Sequence, residues 1–229
     1  MTDNRNDLTF LNKNVMEGLR TYFKGDCMNI FALSENPVIA ASMMMDKHIV
    51  KMPTESCQML HTNYQYMAFV EEHGSIPSQA ELRKYHIPHL MKPVMVNHPS
   101  TKWARESKQN HEWLLEHALA ICKEYTRRYN KIHKSENRIN ETPTICYPDG
   151  VLSPLTMAIN DEWKLEGDGE WTHIVSNYRH YYIEAKWRFA TWKLNTPEWW
   201  PKEHIKNKWK SHYNWMRAEN ERIRRKQNE

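Results

Sequence analysis

The sequence holds only six glycines in 229 residues, against ten tryptophans, eleven tyrosines and thirteen methionines. Neither the G-x-x-x-x-G-K-S/T loop nor G-x-G-x-x-G occurs, which excludes a P-loop kinase and a Rossmann oxidoreductase. A G-x-S-x-G nucleophile elbow is missing too. No stretch approaches 18 consecutive apolar residues, so no segment is expected to span a membrane. The opening Met-Thr-Asp-Asn-Arg-Asn-Asp lacks the apolar core of a secretory signal. Cys27, Cys57, Cys122 and Cys146 form no C-x-x-C pair and read as free, mostly buried thiols of a reducing cytoplasm. Thirteen histidines show neither H-E-x-x-H nor finger spacing. His111 and His117 stand six apart, on different helix faces, so neither a metal nor a cofactor is expected.

What is present are bulky apolar side chains at helical spacing. They predict a mainly α fold: a single multi-helix domain with at most a small minor β-sheet and a basic C-terminal helix. The chain divides into an N-terminal extension, 1–27, a main helical domain, 28–200, and a basic arm, 201–229. Val15, Met16, Leu19, Tyr22 and Phe23 suggest a short helix in the extension. Met28 to Leu33 reads as extended. Asn36 then offers an N-cap and Pro37 a first helical residue, opening a helix expected to run through Met43–Met45 into Asp46. Pro53 is expected to kink or interrupt it. Further long helices are predicted from Ser107 to about Tyr129 and from Thr172 to Leu194. Between them, 134–169 reads as a long loop placed to cover a cleft.

Laid on a helix at about 100° per residue, Lys47, His48, Lys51, Glu55 and Gln58 share one face, while Ile49, Met52, Met59 and Leu60 take the other. A histidine and a glutamate two turns apart, between lysines, suit acid–base chemistry beside an anion. His48 and Glu55, with Asp46, are therefore the candidate catalytic residues, and Lys47, Lys51 and Gln58 candidate substrate contacts. Glu55 is expected to raise the pKa of His48. A second segment, Asn97-His98-Pro99-Ser100, opens a helix with free backbone N–H groups. Trp103 and Arg105 follow with a stacking plane and a guanidinium fork, and Asn110 lies just beyond. The two segments are expected to share one cleft.

The net charge of +4 is uneven. From Pro201 to Glu229 there are nine Lys/Arg and four Asp/Glu, a net of +5, leaving −1 for the rest. Lys206, Lys208, Lys210, Arg217, Arg222, Arg224 and Arg225, interleaved with Trp209, Tyr213 and Trp215, form a candidate nucleic-acid arm. The same helix also has the spacing to dock Ile205, Trp209, Tyr213 and Met216 on the domain.

Several strings together resemble a family of proteins encoded by tailed bacteriophages, over roughly Met28 to Trp200. They are Met28-Asn-Ile-Phe with Asn36-Pro37, Asp46-Lys-His-Ile-Val-Lys-Met with Glu55 and Gln58, and Asn97-His-Pro-Ser. Trp103-x-Arg105, Glu124-Tyr125 and Tyr178-Arg-x-Tyr-Tyr with Lys186 complete the set. That family is remotely similar to helical pyrimidine-dimer DNA glycosylases of the endonuclease V type. Those enzymes use an N-terminal threonine amine as nucleophile, assisted by a glutamate on an early helix. Here Thr2 stands in the extension, ahead of the matching region, a departure from that pattern. The resemblance implies action on DNA or its nucleotides, in repair or base modification, in the cytoplasm of an infected bacterial host. The competing expectation is a non-catalytic protein that binds a nucleotide or a host protein as an anti-defence factor.

Overall fold

A computed structural model describes residues 29–227, with side chains through Arg225. The expected helix around Val15–Phe23, Thr2 and Cys27 lie outside the described residues. Within them the fold is mainly α, with eight α-helices and no strand. Residues 29–32 form no strand, and the chain bends at Leu33, whose N–H donates to the Phe31 carbonyl at 2.9 Å.

Helix α1 is Pro37–Met43, capped by the Asn36 side chain, which accepts from the N–H groups of Val38 and Ile39. It does not run on into the Asp46 stretch. Met44 and Met45 are extended, and α2, Asp46–His73, starts afresh. The physical reason is Arg128, whose buried guanidinium donates to the carbonyls of Ser42 and Met44 and to the Asp46 carboxylate. Those carbonyls are thereby held out of a continuous helical ladder.

The 28 residues of α2 span about 42 Å and pass through Pro53 without interruption. The lost hydrogen bond and ring clash, about 3 kcal/mol, are offset by burial of Pro53 with Met52 and Cys57 on the core side. Gly74, at φ 65°, closes the helix in the left-handed region that a glycine adopts without strain. Helix α3, Gln79–Tyr85, begins with a capping box between Ser78 and Glu81. Helices α4, Pro99–Glu106, and α5, Lys108–Tyr129, meet at Ser107, whose hydroxyl caps Asn110.

The core lies between α2 and α5, with α1 against α5 and α4 against both. Trp103, Trp113 and Trp171 form a cluster with ring centroids 5.8–6.5 Å apart. The 134–169 stretch is not wholly a loop: it contains α6, Glu136–Asn140, and a 3-10 turn, Asp161–Trp163. The remainder is a seam. Pro148 accepts from Lys108 N–H, Ser153 is bound by Trp103 and Asn110, and Leu155 is buried.

Helix α7, Trp171–Tyr181, is shorter than its pattern predicts because the backbone widens into a π turn at Tyr182–Lys186. Such turns re-aim side chains inside a helix. Helix α8, Lys202–Gln227, joins the core through Ile205.

Candidate functional site

The N-terminal end of α2 meets the π turn. His48 is buried, and its Nδ1 lies 2.6 Å from the Tyr182 hydroxyl. Phe31 stacks on the imidazole with centroids 4.0 Å apart. Burial, together with Lys186, Lys51 and Lys47, holds the His48 pKa well below its ordinary value. Burial raises the Tyr182 phenol well above its own, against the opposing effects of a Met45 backbone hydrogen bond and of Arg128.

Tyr182 therefore keeps its proton, and we take it as the donor to Nδ1. The neutral ring carries its own proton on Nε2, which makes no hydrogen bond among the described residues. The group presented is a neutral N–H donor. Glu55 was expected to raise this pKa by proximity, and that expectation fails. Two turns separate the residues by about 10 Å along the axis, and Glu55 is engaged elsewhere. Its carboxylate pairs with Lys51 at 2.9 Å and accepts from the Asn29 backbone N–H at 3.4 Å.

Residues 29–31 fill the space between Glu55 and His48. Asn29 donates to the Ala158 carbonyl at 2.9 Å and accepts from the Tyr178 hydroxyl at 3.0 Å, so three distant segments converge on it. Ala158 is where the 134–169 stretch reaches the site. Around the rim, Lys47 lies 4.5 Å from the Phe189 ring centroid, and buried Lys186 lies 4.9 Å from that of Tyr181. Gln58 is half-buried one turn beyond Glu55. The wall thus offers a neutral donor, a carboxylate and the exposed ammonium groups of Lys47 and Lys51, a set suited to a polar anionic ligand.

Asp46 is in the same region but serves the fold: its carboxylate lies 3.0 Å from Arg128, which also binds Glu124 at 2.6 Å. The second predicted segment does not join the His48 wall. It packs against α2 near Asn63 and Tyr66, about 23–27 Å along the axis from His48. There Arg105 donates to the Val96 carbonyl at 2.7 Å and to Asn63 at 3.3 Å, its guanidinium 4.2 Å from the Tyr66 ring centroid. Trp103 is a core residue, Ser100 is fully buried, and Asn110 ties Trp103 to Ser153. His98 caps its helix by accepting from Ser100 N–H, and Asn97 is exposed just outside it. A cap side chain occupies the N–H that was expected to meet an anion.

Asn29, Phe31, Tyr178, Tyr182 and Lys186 complete the wall and were not among the candidate site residues. The only signal for them was the Met28-Asn-Ile-Phe and Tyr178-Arg-x-Tyr-Tyr strings, noted for resemblance and not for position. Comparison with curated proteins found no match, and neither did comparison with solved structures. Residues 28–137, a little under half of the chain, match the family model of pyrimidine dimer DNA glycosylases, which suggests a glycosylase-like function in DNA repair.

Proposed function

We propose that the chain is an enzyme acting on DNA bases or nucleotides, in glycosylase-like repair or base modification, with its chemistry at the His48–Glu55 wall. The observation that carries this reading is the buried Tyr182–His48 pair beside a half-buried carboxylate and a lysine rim. The match to pyrimidine dimer DNA glycosylases supports DNA as the polymer. The resemblance to tailed-phage proteins supports a phage origin and work inside an infected bacterial cell.

Cleaving an N-glycosidic bond leaves positive charge on the sugar and negative charge on the departing base. Glu55 is the group that stabilises the first or activates a water. His48, through Nε2–H, is a neutral donor for a base carbonyl, the electrophilic role that a depressed imidazole pKa favours over proton abstraction. Lys47 and Lys51 hold phosphate. In this reading a water activated by the Glu55 carboxylate attacks the sugar as the base departs.

A second reading, a non-catalytic nucleotide binder, is favoured by one observation: both Glu55 oxygens are already engaged by Lys51 and Asn29. The test is turnover and binding of a duplex oligonucleotide carrying a pyrimidine dimer, with Glu55→Gln and His48→Ala. An enzyme loses about 100-fold or more in turnover in each variant while its affinity changes little. A binder shows no turnover in any form and loses affinity modestly. Native protein that binds this DNA but releases no base and cuts no strand would overturn the catalytic reading.

A further inference from the structure

Helix α8 is fastened to the domain along its first half only. Ile205 is buried, Lys208 reaches Glu184 and the Ile183 carbonyl, and Trp209 and His212 sit edge-on to Trp187 at 5.0 and 5.8 Å. Beyond Tyr213, Arg217 pairs with Glu221, Arg222 with Glu219, and Trp215 with His212, all within the helix itself. The docked face accounts for Ile205 and part of Trp209, whereas Tyr213 is 69% exposed.

Away from that face, Lys202, Lys206, Lys210, Tyr213, Arg217 and Arg224 fall within about 80° of one another. All six are exposed. Lys208 and Arg222 belong elsewhere: the first is spent on Glu184, and the second pairs with Glu219 on the far side. Arg225 also points about 100° away from the stripe. The acidic neighbours, Glu203 beside Lys206 at 3.7 Å and Glu221 beside Arg217 at 3.4 Å, form solvent-exposed pairs too weak to hold these cations from a polyanion.

We propose that this stripe is a docking surface for the phosphodiester backbone of DNA, with Tyr213 as a stacking platform for an unpaired base next to the site. It rests on the reading that the chain acts on DNA. Charge complementarity selects the occupant. The stripe lies in the +5 segment of a chain that is otherwise net −1, so long-range attraction for phosphate comes from here. An aromatic ring at the centre of a basic stripe suits a strand whose bases are exposed, since every base has a face to stack. Trp215, which stacks on His212 and projects from a different side, is not part of this surface.

The test is fluorescence anisotropy of a labelled single strand and of its duplex, across a salt series. The proteins compared are the full chain, the triple variant Lys206→Gln/Lys210→Gln/Arg217→Gln, and Tyr213→Ala. Glutamine keeps helix propensity at exposed positions, so the fold is not at stake. Removing three phosphate contacts makes the log–log salt slope shallower by about two for the single strand and about three for the duplex. Tyr213→Ala weakens the single strand by about 5- to 150-fold, with its slope unchanged and the duplex affected less. A native slope in the triple variant overturns the docking surface. Equal loss for both DNA forms in Tyr213→Ala overturns the stacking role. Turnover of the dimer-bearing oligonucleotide separates the two levels: turnover with an unchanged slope rejects the arm alone, and a full chain that binds no DNA rejects both.

Discussion

The Tyr182 hydroxyl and the His48 imidazole lie 134 positions apart in sequence and 2.6 Å apart in space. The contact fixes which ring nitrogen carries the proton. Tyr182→Phe removes the donor to Nδ1 and leaves a buried acceptor unpaired, at about 1–3 kcal/mol. Nitrogen chemical shifts of His48 are expected to report the Nε2–H form alone in the native chain and a mixture of tautomers in the variant. A variant still purely Nε2–H would assign the tautomer to something other than Tyr182.

Arg128 holds the break between α1 and α2 through four bonds, to Glu124, Asp46 and the carbonyls of Ser42 and Met44. Arg128→Met is expected to destabilise by about 1–3 kcal/mol: Glu124 keeps its two bonds from Arg127, but the Ser42 and Met44 carbonyls and the Asp46 carboxylate lose their donor. Because Glu124 and Arg128 are bonded directly, Glu124→Gln/Arg128→Met should cost less than the sum of its two single changes. Urea unfolding of the single and double variants measures it, and an additive double variant argues against the coupled pair.

Asn110 was read as a substrate contact, but it bonds the Trp103 carbonyl and both the N–H and the hydroxyl of Ser153. Asn110→Ala should cost about 2–3 kcal/mol and speed hydrogen exchange across 148–159, leaving DNA affinity of the folded protein unchanged. An affinity loss at full folding would return Asn110 to the binding surface.

Acid should unfold the protein through its buried imidazoles. Burial lowers His111 and His117 to about 4, and His48 well below its ordinary value. The unfolded chain binds these protons near pH 6.5, whereas the folded state takes up those of His111 and His117 only near pH 4. Stability is therefore complete above about 6.5 and falls as pH drops toward 4, with each histidine adding up to about 1.4 kcal/mol per pH unit. Unfolding free energies at pH 7, 6 and 5 test this. His117→Gln should flatten the profile by about one proton.

Burial pushes the Cys57 and Cys122 thiols up to about 11 and about 12, while Cys146 is exposed. At pH 7.5 iodoacetamide should label Cys146 readily and reach the other two only on unfolding, as mass spectrometry of the digested protein would show. Labelling of Cys57 in the native state would mean that α2 opens locally.

Local signals were legible in the sequence wherever the physics is local. The Asn36–Pro37 start and the long period of α5 read correctly, because caps and periodicity act within a few residues. Pro53 does not end the helix, since its cost is small against the packing of a 28-residue helix. Arg105 and Trp103 looked like ligand groups because sequence shows their polarity and not their partners; Asn63, Tyr66, Val96 and Ser153 satisfy them. His48 and Glu55 were found as a face, yet the group that sets the state of His48 comes from a π turn with no sequence pattern of its own.

The convergence at Asn29 has a consequence for biosynthesis. Asn29 binds Tyr178, 149 positions later, and His48 binds Tyr182, 134 positions later. At a translation rate of about 5–20 residues per second, the imidazole waits about 7–27 s before its phenol is even made. Until then the ring lacks the phenol as a partner for Nδ1. The nascent chain therefore passes through a stage in which α2 exists but its site does not. A chain that ends before residue 182 lacks the Tyr182–His48 contact.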